Sequence, residues 1–168
     1  MASEPDEIDW TDVTEVMARQ ILDQGELYLQ NQVTLAIAAD QRATTAASIF
    51  SSMAAAVAAA VVALWGKPGS EAMIVSGLLG LALIILAAGF AAWAARPTEF
   101  NTPGNHPEQW YVGRHANLVS MIGGEAESVQ RRIVKNDDIL RENQEALRSA
   151  FWLAIAAPVF AILPWLVR

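Results

Sequence analysis

Two uninterrupted apolar runs dominate the chain. Residues 43–64 carry no charged side chain, nor do residues 72–95, and Trp65-Gly66-Lys67-Pro68-Gly69-Ser70 joins them. Each run exceeds the roughly 20 residues needed to cross a hydrocarbon core of about 30 Å. A soluble helix of that length would show a polar face, and neither run has one. In hydrocarbon every backbone N–H must be bonded internally, so the pattern predicts a transmembrane helical hairpin with a tight turn. A third apolar stretch, residues 150–167, contains Trp152, Pro158, Pro164 and Trp165. At roughly 18 residues it is just long enough to span, with a kink expected at Pro158. A re-entrant or interfacial helix is its alternative.

Outside these runs the periodicity becomes amphipathic. Val13, Met17 and Ile21 recur at i+4, and Leu22, Leu29, Val33 and Ala36 carry an apolar stripe onward. Thr11 or Asp12 is placed to cap this helix, with Glu15 as the capping partner. Gly25 weakens the helix without breaking it. No stop signal appears before Thr45, so the helix is expected to run into the first span, about 80 Å in all at 1.5 Å per residue. After the second span, Arg96-Pro97 ends the helix and a loop rich in Pro, Gly and Asn follows. Helix resumes from Gly113, with an interruption expected at Gly123-Gly124. Ala126, Val129, Ile133, Asn136, Leu140, Asn143 and Leu147 then form one stripe. Asparagine at such a seam can set the register between packed helices. The matching partner is the stripe of Leu22, Leu29 and Val33. The expected fold is therefore all-α: a polytopic membrane protein with three transmembrane helices and a cytoplasmic helical extension. Its segments are an N-terminal cytoplasmic amphipathic helix (residues 1–42), the hairpin (43–95), a cytoplasmic loop and helix (96–148) and the third span (149–168).

Composition agrees with a small membrane protein. Hydrophobic residues make up 54% of the 168 residues, and the mean hydropathy is +0.28. The absence of cysteine excludes disulfides and cysteine-ligated zinc. A net charge of -7 argues against nucleic acid as a partner. The acidic start, residues 1–12, lacks the apolar core of a cleavable signal, so the first span is expected to direct its own insertion. Arg19, Arg42, Arg96, Arg114, Arg131, Arg132, Lys135, Arg141 and Arg148 fall on one side of the three-span topology. Only Lys67 and Arg168 fall on the other. The positive-inside rule then places the N terminus in the cytoplasm and the C terminus in the periplasm.

Candidate chemistry is sparse. There is no catalytic constellation, P-loop or glycine-rich phosphate fingerprint, so the chain reads as non-enzymatic and without a cofactor. His106-Pro107-Glu108 with His115 is the nearest approach to a metal set, and in a loop these are ordinary polar residues. No metal site is assigned. Phe100, Trp110 and Tyr111 suit a headgroup belt; Trp110 and Tyr111 could instead stack on a base. Arg131, Arg132 and Lys135 lie within about one helical turn, the spacing of a small anion-binding patch. A solvated mixed-charge face is the plainer reading. Within the spans, Thr44, Thr45, Ser48, Ser51 and Ser52 form a weakly polar patch. Ser48, Ser52, Ala55 and Ala59 lie near one face, with Ser76 and Gly80 available on the second helix. Small residues let helices approach closely. They would serve either hairpin packing or an oligomer interface.

One resemblance covers most of this outline. Leu35-Ala36-Ile37-Ala38-Ala39-Asp40-Gln41-Arg42-Ala43 leads into the first span. Asn136-Asp137-Asp138-Ile139-Leu140 runs through Leu147-Arg148-Ser149-Ala150 into the last. With the long leading helix, the hairpin and the cytoplasmic helix, the chain resembles the Pycsar-type transmembrane effectors of bacterial antiphage defence. SLATT-type effectors share the outline. The resemblance implies an inner-membrane protein that responds to a cyclic pyrimidine nucleotide made during infection and then impairs the membrane. The lipid bilayer, a cyclic nucleotide and further copies of the chain would be its partners. A small oligomeric channel or transporter subunit, or a structural membrane scaffold, would fit the same spans.

Overall fold

A computed structural model describes residues 9–104 and 117–166. Three helices account for its regular structure: α1 (Glu15–Leu64), α2 (Glu71–Ala94) and α3 (Leu118–Leu166). No strand occurs among the described residues. All three helices are long and apolar enough to cross a membrane. The amphipathic and spanning stretches of α1 form one continuous helix, as their unbroken pattern predicts. Two of the expected boundaries move. Thr14, rather than Thr11 or Asp12, caps α1, its hydroxyl accepting the Met17 N–H at 3.3 Å. Gly123-Gly124 does not interrupt α3, which also continues past Pro158 and Pro164.

The chain divides into two compact units. The first comprises residues 1–36 and 98–139. Its apolar centre is Leu29, Val129 and Ile133, with Leu22 packed alongside. These residues belong to the two matched stripes. Gly25 lies in the same seam: a Cβ there would stand 2.9 Å from Val129 Cγ1, so the glycine admits close approach of the two helices. Leu147, the last member of the second stripe, packs elsewhere, among the alanines of the other unit.

The second unit comprises residues 37–97 and 140–168. Its interior is built from small side chains. Ala46, Phe50, Ile84, Ala87, Ala91, Ala150 and Ala157 form one cluster, and Ala43, Ala94 and Ala146 a second. Phe50 and Phe151 meet edge to face at 5.8 Å. The large apolar side chains point the other way: Ile49, Met53, Val62, Leu78, Ile85, Phe90, Ile155 and Phe160 are all exposed. Small residues inside and large apolar residues outside reverse the pattern of a water-soluble bundle. In lipid that arrangement is stable, because helices dock through backbone proximity and dispersion while the bulky side chains meet acyl chains.

The α1–α2 turn closes on two carbonyls, Leu64 O and Lys67 O, which accept the Lys67 N–H at 3.1 Å and the Ser70 N–H at 3.3 Å. Ser70 Oγ donates to Leu64 O at 2.9 Å and to Lys67 O at 2.6 Å. Gly66 and Gly69 take φ of 78° and 77°, which L side chains rarely adopt. Beyond the turn, a Cβ on Gly77 would stand 2.5 Å from Val61 Cγ2. The second glycine of interest, Gly80, faces Ala161 Cβ at 3.6 Å and Ala157 O at 3.8 Å from its would-be Cβ. At the far end of α2, Arg96 stacks over the Trp93 ring at 4.1 Å and pairs with Glu142 at 2.7 Å.

Candidate functional site

The basic patch lies on the α3 portion of the first unit, where the three expected residues divide. Arg131 and Lys135, four residues apart on the helix, are exposed, and no ion pair holds either among the described residues. Arg132 points about 100° around the helix from Arg131 and is only partly exposed. Its guanidinium donates to Gly104 O at 2.9 Å, Thr102 O at 3.5 Å, Glu125 Oε1 at 3.0 Å and Ser128 Oγ at 3.1 Å. Arg132 therefore ties the loop after α2 to α3. A charge-assisted bond set of this kind is worth more to the fold than an exposed ion pair. The cation pair open to an anion is Arg131 with Lys135. Trp110 and Tyr111, like His106 and His115, lie outside the described residues.

Directly beside that pair is a contact that periodicity did not single out. The Trp10 indole N–H donates to Glu127 Oε1 at 2.8 Å. A Cβ on Gly123 would stand 2.6 Å from Trp10 Cδ2, 2.7 Å from Cε2 and 2.8 Å from Cγ. A point that close to both atoms of the fused bond and to Cγ lies over the ring face, not at its rim. The indole thus lies flat on the helix where it has no side chain. This is why Gly123 is present and why α3 stays intact there: the glycine serves packing, not helix termination. A short turn aims the tryptophan. Asp9 Oδ1 accepts both the backbone N–H of Thr11, at 3.0 Å, and its hydroxyl. These bonds, the side-chain one first, hold the Asp9 carboxyl below the usual aspartate range. A glycine pair inside an otherwise regular stripe was the available signal, since a glycine within a helical pattern can serve packing as well as mark a helix end.

A buried polar cluster completes the unit. Asn136 is fully buried. Its Oδ1 accepts from Asn101 N at 3.0 Å and Asn101 Nδ2 at 3.1 Å. Its Nδ2 donates to Asn101 O at 2.9 Å and to Gln32 Oε1 at 3.4 Å. Gln32 Nε2 in turn donates to Ile133 O at 3.1 Å and Asp137 Oδ1 at 2.7 Å. The loop after α2, α1 and α3 are bonded together here. A hollow nearby, lined by Asp23, Glu26, Leu27, Gln30, Pro103 and Gly104, is acidic and unsuited to an anion.

The small residues expected at an oligomer interface also divide. Ser76 and Gly80 are buried within the second unit, Gly80 against α3. Ser48, Ser52, Ala55 and Ala59 are exposed on α1. The Ser48 and Ser52 hydroxyls donate back to Thr44 O and Ser48 O, at 3.0 and 2.9 Å, so neither requires an outside partner. No cluster of three or more His, Asp or Glu able to hold a metal occurs among the described residues.

Three spanning-length helices, an alanine interior and a bulky apolar exterior define an all-α polytopic membrane protein. The match to a family model then gives the class a name: residues 24–168 match the Pycsar effector protein domain, and the chain belongs to that family. It is accordingly a membrane effector of antiphage defence, in a family not known for enzymes. No curated protein and no solved structure is significantly similar to the chain.

Proposed function

We propose that the protein acts in the bacterial inner membrane, responds to a cyclic pyrimidine nucleotide and then perturbs membrane integrity or potential. The N terminus is cytoplasmic and the C terminus periplasmic. The observation that carries this reading is the match of residues 24–168 to the Pycsar effector domain. The exposed Arg131 and Lys135 supply the phosphate contact: arginine can bind phosphate through two parallel bonds, and lysine adds a point charge. Ser48, Ser52, Ala55 and Ala59 form the face through which copies of the chain associate.

The test is expression with and without cyclic CMP or cyclic UMP while membrane potential is read with a dye. The native protein should depolarise the membrane only with nucleotide. Arg131→Glu with Lys135→Glu should insert normally and fail to respond. The pair is preferable to any variant of Arg132, whose bonds hold the loop. Ala55→Leu should leave the protein in the membrane but reduce its crosslinked oligomer, whereas Gly80→Leu should destabilise the subunit itself. Reporter fusions after Gly69 and after Arg168 should both report the periplasm. Ion flux without nucleotide would instead support a constitutive channel, and no effect under any condition a scaffold.

A further inference from the structure

The fold uses only part of the apolar stripe that opens α1. By spacing, Met17 and Ile21 lead into Leu22 and Leu29. Yet Leu29 is 0% exposed, whereas Met17 is 56%, Ile21 39%, Tyr28 52% and Leu35 61% exposed. The reason is that α1 carries two rows side by side. Ala18, Leu22, Gly25, Leu29 and Gln32 follow one another at steps of four, three, four and three. Leu22, Gly25, Leu29 and Gln32 of this row meet α3 at Val129 and Ile133. One residue earlier in each case, Met17, Ile21, Gln24, Tyr28, Asn31 and Leu35 keep the same rhythm. One residue is about 100° of helix, so the second row faces roughly at right angles to the first, and all six of its members are exposed.

Alternating steps of three and four are the repeat of a coiled coil, with Ile21, Tyr28 and Leu35 at one seam position and Met17, Gln24 and Asn31 at the other. We propose that this row is covered by a second copy of the chain, whose own row packs alongside it in parallel. The charged residues of α1 before Asp40 are Glu15, Arg19, Asp23 and Glu26, and all four fall at outer positions of that repeat. The flank turned away from α3 is Gln20, Leu27 and Thr34. Two copies therefore meet without opposing like charges. Copies inserted in one bilayer share direction and depth, so each row meets its counterpart at the same residues. Gln24 then faces Gln24 and Asn31 faces Asn31, and an amide both donates and accepts, so each can pair with its own copy. A lipid surface is a poorer occupant. Helices that lie on membranes carry lysine and arginine beside the apolar face, whereas here amides interrupt the face and three of the four neighbouring charges are acidic. Amides also weaken a seam, which suits a contact formed as copies gather in the membrane. The contact lies outside the apolar runs, and of the function proposed above it requires only that copies associate.

The chain has no cysteine, so single replacements along residues 17–35 report one position each. The full-length protein is oxidised in native membranes, and the product of twice 18.1 kDa is measured. Its yield should peak at Ile21→Cys, Gln24→Cys, Tyr28→Cys, Asn31→Cys and Leu35→Cys. It should be several-fold lower at Arg19→Cys, Asp23→Cys, Glu26→Cys and Gln30→Cys. In the Gln24→Cys background, Tyr28→Glu should remove the product, because two carboxylates would then oppose each other. A differently tagged copy carrying Gln24→Cys with Tyr28→Lys should restore it as a mixed pair. That rescue separates lost contact from lost fold. Yields without the three-four rhythm, peaks at the charged positions, failure of the lysine copy to rescue, or a product of any other mass would overturn the proposal. Native mass spectrometry then separates it from the association proposed through Ser48, Ser52, Ala55 and Ala59. An oligomer that persists removes only the α1 seam, and monomer alone removes both.

Discussion

Asn136 and Asn143 stand seven residues apart on the same stripe of α3, and their surroundings treat them in opposite ways. Asn136 is wholly buried and makes four hydrogen bonds, to Asn101 and Gln32. Asn143 is 7% exposed, and its Oδ1 has no partner among the described residues. The difference lies in what each unit can offer. The first unit places a loop asparagine and a helix glutamine around its amide. The second unit's interior is nearly all alanine, which has no side-chain donor, and Ser76 Oγ too is unpartnered among the described residues. A buried polar group stabilises only where its partner is also supplied; otherwise it costs about 1–3 kcal/mol. The unit outside the apolar runs is held by specific polar bonds, and the unit within them by close packing.

The sharpest way to break this contrast is Asn136→Leu. It would orphan the Asn101 N–H and amide donors together with Gln32 Oε1, and thermal unfolding in micelles should show a loss of about 3 kcal/mol. An unchanged midpoint would mean that the cluster does not hold the unit. Next comes Arg132→Ala, which removes the ties to Thr102 O and Gly104 O and one partner of the buried Glu125. A loss of about 2 kcal/mol is expected, against no more than about 0.5 kcal/mol for the neighbouring Arg131→Ala. Equal effects would erase the distinction drawn between the two arginines. Asn143→Leu should have the opposite sign to Asn136→Leu. Removing an unpaired acceptor while keeping the number of side-chain heavy atoms is expected to stabilise by about 1 kcal/mol, visible as a higher midpoint in the same assay. Destabilisation would reveal a partner for Oδ1.

The smallest effect concerns the exposed turn at Asp9. Its carboxyl is held below the ordinary range by Thr11, so its contribution is present above that range and lost as pH falls through the lowered value. The Thr11 amide shift, followed by NMR during acidification, should move only below the usual aspartate midpoint. Movement at the ordinary midpoint would show that the bonds from Thr11 do not hold the carboxylate. Because the group is fully solvent-exposed, global stability should hardly register the change.

Residue pattern alone carried the helical class, the three spans and the matched stripes of Leu22 and Leu29 with Val129 and Ile133. It did so because hydrocarbon permits few solutions: an uncharged run of more than 20 residues must close its own hydrogen bonds, and a stripe must find another stripe. The pattern also brought the basic residues of α3 to attention. It could not say that Arg132 is occupied while Arg131 is open, since adjacent residues on a helix point about 100° apart and only the packed loop distinguishes them. Gly123-Gly124 shows the same limit. Two glycines read equally as a break or as a bare surface, and only the indole of Trp10, more than a hundred residues away in the chain, resolves which. Ser76 and Gly80 could have faced another subunit until α3 was seen against Gly80. Local sequence thus determined what each segment must be in its solvent, through period, charge and length. Tertiary structure decided which of several equivalent side chains meet a partner, because that depends on segments brought together by the fold and not on spacing along the chain.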